Sequence, residues 1–147
     1  MAALDSLLAP LDAATFLREH HQRRVHQWQT DSPLYHQLRD LFTPPGLESL
    51  LPDLTDILVW FRSRDGVPRS IAASPAQAWS LHQAGMTLYA KIDPGRLPAM
   101  APVVELGREA ARELGQSGEH FQIGLFASCA GAHTAPHFDS ADGLTLH

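Results

Sequence analysis

Residues able to hold a metal ion gather near the end of the sequence, in Gly131-Ala132-His133-Thr134-Ala135-Pro136-His137-Phe138-Asp139. An extended chain alternates its side chains between two faces, so residues two apart share a side. On a strand, His137 and Asp139 project together and Phe138 projects away. An imidazole beside a carboxylate makes two corners of a two-histidine, one-carboxylate triad. That donor set suits non-haem Fe(II) and leaves positions open for a chelating co-substrate and dioxygen. The same pair also arises as a surface histidine beside a turn aspartate, so it does not settle the chemistry alone. His133 lies before Pro136 and reads as a loop histidine. The remaining candidates read as structural. His20, His21, His26 and His36 fall in expected helices at solvent-facing positions, His82 sits on a capped helix, and His120 opens a strand. Cys129 closes an apolar run and reads as a small core residue rather than a nucleophile.

The elements that must position this pair are legible in the periodicity. Asp12 is placed to cap a helix over residues 13–28, with Phe16, Leu17 and Val25 as its core face. Pro33 opens a second helix through Leu38 and Leu41, which Pro44 and Pro45 end. A third helical piece over residues 47–54 is broken by Pro52. Residues 57–61, Ile-Leu-Val-Trp-Phe, form a β-branched and aromatic run that predicts a buried strand, with a turn at Asp65-Gly66. Ser74-Pro75-Ala76-Gln77 has the chemistry of a helix start, and Gly85 that of its end. Met86, Leu88, Ala90 and Ile92 alternate with Thr87, Tyr89 and Lys91, which predicts a half-buried strand. Val103, Leu106, Gly107, Ala110 and Leu114 share a helix face closed by Gly115. Phe121, Ile123, Leu125 and Ala127 alternate again. Further strands are expected over residues 136–139 and from Leu144. Helices first, then strands with helices inserted, predict an α+β fold.

Composition bounds the rest. The 147 residues carry 44% apolar and 18% charged side chains, which suits a globular domain. A net charge of −5 with histidines neutral argues against nucleic-acid binding, since Arg18, Arg23 and Arg24 sit among Glu19 and histidines and read as a solvated face. A single cysteine permits no intrachain disulfide, which suits a reducing compartment. The apolar first residues contain Asp5 and no basic leader, and no run approaches a membrane span. The expectation is a cytoplasmic protein.

Residues 56–147 resemble the first half of a JmjC or cupin-like oxygenase domain. The resemblance rests on Thr134-Ala135-Pro136-His137-Phe138-Asp139 and on Asp142-Gly143-Leu144-Thr145-Leu146-His147 as the strand leaving the metal. Phe16-Leu17-Arg18-Glu19-His20-His21 is similar to the helices that precede the barrel in this group. The resemblance implies a helical region over residues 1–54 and the first part of a double-stranded β-helix over 55–147. It implies an Fe(II)- and 2-oxoglutarate-dependent hydroxylase acting on a protein or peptide side chain. His137 and Asp139 would be metal ligands, and Thr134 would bind a 2-oxoglutarate carboxylate that Tyr89 also approaches. The family's second histidine ligand and its basic residue lie several strands further on. With His147 last, the domain is expected to be incomplete here and inactive alone. Two other readings stay open. One is a non-catalytic cupin-like fragment that associates with itself through an open sheet edge. The other is a small complete metal module using His133, His137 and Asp139.

Overall fold

The computed structural model describes residues 2–43, 46–132 and 143–145. Among them lie six α-helices, α1 (Ala3–Leu8), α2 (Ala13–Glu19), α3 (Pro33–Phe42), α4 (Gly46–Leu50), α5 (Pro75–Gln83) and α6 (Ala101–Glu113). The strands are β1 (Thr55–Arg62), β2 (Pro68–Ala72), β3 (Thr87–Ile92) and β4 (Ile123–Ala127). They form one antiparallel sheet in the order β2-β1-β3-β4. This is an α+β arrangement, as the order of periodicities predicts. No helix among the described residues is long and apolar enough to cross a membrane.

Burial alternates along the strands because one sheet face packs on helices. On β3, Leu88, Ala90 and Ile92 are buried, while Thr87, Tyr89 and Lys91 are partly exposed. On β1, Ile57 and Val59 join the same core, which Ala78 of α5, Leu38 of α3 and Met100 complete. Leu51 and Leu54 also enter this cluster, so the helical segment before β1 shares its core with the sheet. A second, smaller cluster holds Ala3, Leu4 and Leu8 of α1 against Ala110 of α6, with Phe16 and Trp28 packed at its margin.

Local signals set the helix ends. Ser74 and Gln77 form a reciprocal capping box at α5. Gly85 and Gly115 end their helices at φ 97° and 78°, a region that glycine adopts without a Cβ clash.

The structure differs from the sequence expectations at several places. The helix at Asp12 stops at Glu19 instead of running to residue 28. Its polar continuation has no apolar stripe to bury, and Val25 is 95% exposed. The chain breaks at Gln22, φ 56°, and returns Trp28 to the second cluster. Leu17 of the same helix, expected in the core, is 39% exposed, and Phe16 is the residue that packs on the second cluster. Helix α1 lies in a segment for which no element is expected; the carboxylate of Glu113 accepts from the amides of Ala3 (2.7 Å) and Leu4 (3.1 Å) and caps it from α6. Strand β2 is exposed along its whole length, so it carries no alternation to read. Its Pro68 suits a sheet edge, and pairing with β1 alone defines it. His120 lies in a 3-10 turn, Gly118–His120, rather than opening a strand. The expected strand from Leu144 is not formed at residues 143–145, which are exposed and pair with no described strand.

Candidate functional site

The candidate site is built on the sheet face turned away from the helices. Directly opposed residues of antiparallel strands share a face. Tyr89 on β3 faces Leu58 on β1 and Phe126 on β4, while Thr87 faces Trp60. Lys91 faces Gly124. The result is a band of Leu58, Trp60, Thr87, Tyr89, Lys91 and Phe126 across three strands. Trp60 is 40% exposed and Phe126 62% exposed, so helices leave this band uncovered.

The Tyr89 ring is seated by its neighbours on β4. It meets the Phe126 ring at a centroid distance of 4.8 Å and 47° between planes. Gly124 makes room for it: a Cβ there would sit 3.0 Å from Tyr89 Cε2. Thr87 donates to the Ser128 hydroxyl at 3.4 Å, just past the end of β4.

At the other end of the band, Lys91 pairs with Asp56 at 2.9 Å. Asp56 sits in a register irregularity of β1 at φ 49°, a left-handed conformation that aspartate tolerates better than most residues. The hydrogen bond that Lys91 donates to Asp56, together with the carboxylate's negative charge, holds the Lys91 ammonium pKa above its ordinary value. Lys91, on the same face as Tyr89, is thus already paired with a carboxylate.

Thr134, His137 and Asp139, like His133 and His147, lie outside the described residues. Tyr89 is placed on the open face, as the alternation on β3 predicts. The Lys91–Asp56 pair was not foreseen, because it depends on the register of β1 against β3. The positions of Trp60 and Phe126 beside Tyr89 depend on the same register. Among the described residues, no group of three or more histidine, cysteine or acidic side chains is placed to hold a metal. Cys129 is half-buried, with its thiol 3.5 Å from the His82 carbonyl oxygen, in keeping with a packing role.

No protein-family model matches the chain, and none of the curated proteins matches it.

Proposed function

We propose that this chain carries the first ligand pair of an Fe(II)- and 2-oxoglutarate-dependent oxygenase of the JmjC or cupin-like kind. It acts on a protein or peptide side chain in the cytoplasm, and its sheet is part of a double-stranded β-helix. One observation carries the reading. His137-Phe138-Asp139 follows β4, an edge of the described antiparallel sheet whose uncovered face presents Tyr89. The donor set fits the metal, since a neutral imidazole and a carboxylate suit Fe(II). His137 and Asp139 would hold the ion, and the hydroxyls of Thr134 and Tyr89 would hydrogen-bond a 2-oxoglutarate carboxylate. Leu58, Trp60 and Phe126 would keep water from the site. When bound, the iron supplies the oxidising chemistry that couples 2-oxoglutarate decarboxylation to hydroxylation.

Mn(II), a spin-active stand-in for Fe(II), tests the ligand pair by titration. Two protein ligands bind loosely compared with a closed site. We expect weak binding that falls by at least about tenfold in His137→Ala, the scale on which site integrity acts. Equal Mn(II) affinity in the two proteins would sink the reading, and tight binding would favour a complete module including His133.

The exposure of Trp60 and Phe126 also favours a second reading, a non-catalytic module whose open sheet pairs with a second copy. Sedimentation should then show a dimer that Phe126→Arg dissociates. A parent chain that stays monomeric across concentration excludes it.

A further inference from the structure

Between α2 and α3, the segment 20–32 forms no regular element and crosses the margin of the second core cluster. Aromatic rings hold it there. His20 and His26 meet at a centroid distance of 4.2 Å, His26 stacks on Trp28 at 5.3 Å, and His20 stacks on Phe16 at 6.3 Å. Nδ1 of His20 and Nε1 of Trp28 are buried without a hydrogen-bond partner. We propose that the His20–His26 contact is a proton-operated latch that fastens the 20–32 strap onto α2 at neutral pH and releases it on mild acidification.

The physical case rests on what surrounds the two imidazoles. A neutral imidazole packs against rings as a flat, weakly polar body. Protonation makes both of its nitrogens donors, and the buried Nδ1 of His20 then has no acceptor. A second proton on His26 would set two cations in ring contact. Arg24 adds a third positive charge on the strap itself. Glu19, the carboxylate beside His20, is engaged by Arg18 at 2.8 Å and Arg24 at 3.7 Å. The acids on the helices packed nearby are also occupied. Asp5 of α1 accepts from the Ala13 amide, and Glu113 of α6 accepts from α1. Burial, then the charges of Arg24 and His26, hold the His20 pKa below its ordinary value of 6.5. The closed strap therefore favours neutral His20. Its contribution is fully present above about pH 6.5 and is lost as pH falls below that value.

The far end of the strap is held separately, where His36 of α3 contacts Asp31 at 2.6 Å. Acid thus frees the strap around residues 20–28 while this contact keeps its end tethered. Release uncovers Phe16 and the edge of the α1–α6 cluster.

Trp28 reports the latch directly in a chain carrying Trp60→Phe and Trp79→Phe. Between pH 7.5 and 5.5, Trp28 emission should shift to the red and acrylamide quenching should rise severalfold, with far-UV circular dichroism unchanged. Adding His20→Gln should abolish the pH response and leave emission blue. If that variant does not fold, His26→Phe, which keeps the ring and removes the second charge, should weaken the response in the same way. A pH-independent Trp28, an unaltered response in these variants, or a transition coincident with loss of circular dichroism would overturn the proposal.

Discussion

Leu88→Ala is expected to destabilise the fold by about 3–4 kcal/mol, the range for emptying a fully enclosed leucine site. Leu88 is 0% exposed. It lies on a central strand, between Val59 of β1 and Ala127 of β4, and on the face that α5 covers. Strands paired on both sides cannot collapse into the cavity, so relaxation recovers little of the lost packing. The adjacent Thr87→Ala, on the open face, should cost under about 1 kcal/mol, since a partly exposed side chain loses little buried area. Urea unfolding of the two variants reads the difference. Similar midpoints would mean that the two sheet faces are equally buried and that the open band does not exist.

Gly107→Ala is expected to change sign with its background. A Cβ at Gly107 would lie 2.0 Å from Phe121 Cζ and 2.5 Å from both ring Cε atoms. The Phe121 ring therefore rests on the bare backbone of α6 and fixes how the chain enters β4. Alanine would gain about 0.8–1.0 kcal/mol of helix propensity over glycine. Displacing the ring should cost about 2–3 kcal/mol, the scale for burial of a large apolar side chain. The net result is a loss of about 1–2 kcal/mol by that difference. In Phe121→Ala the ring is gone, and the same substitution should stabilise by about 0.5–1 kcal/mol through propensity alone. A double-mutant cycle followed by thermal unfolding checks the reversal. Destabilisation of equal size in both backgrounds would show that the glycine serves some contact other than Phe121.

Much of the frame was legible in local chemistry. The Ser74–Gln77 box, the glycine ends of α5 and α6, and the alternation on β3 each follow from interactions within a few residues. Those rules act the same way in any fold. The placement of Tyr89 opposite the core was legible for that reason, as was the α+β order of elements. His137 and Asp139 were singled out by residue type and spacing alone, and both lie outside the described residues. The rest was decided by contacts between residues distant in sequence. Strand β2 exists because β1 pairs with it, and α1 is capped by Glu113 from the far side of the second cluster. The polar run after Glu19 leaves the helix because Trp28 has a cluster to join and the imidazoles have rings to stack on. The band of Trp60, Tyr89 and Phe126, and the pairing of Lys91 with Asp56, follow from strand register. Register is set by the burial of the opposite face and by a local irregularity at Asp56, and neither can be read from one strand alone.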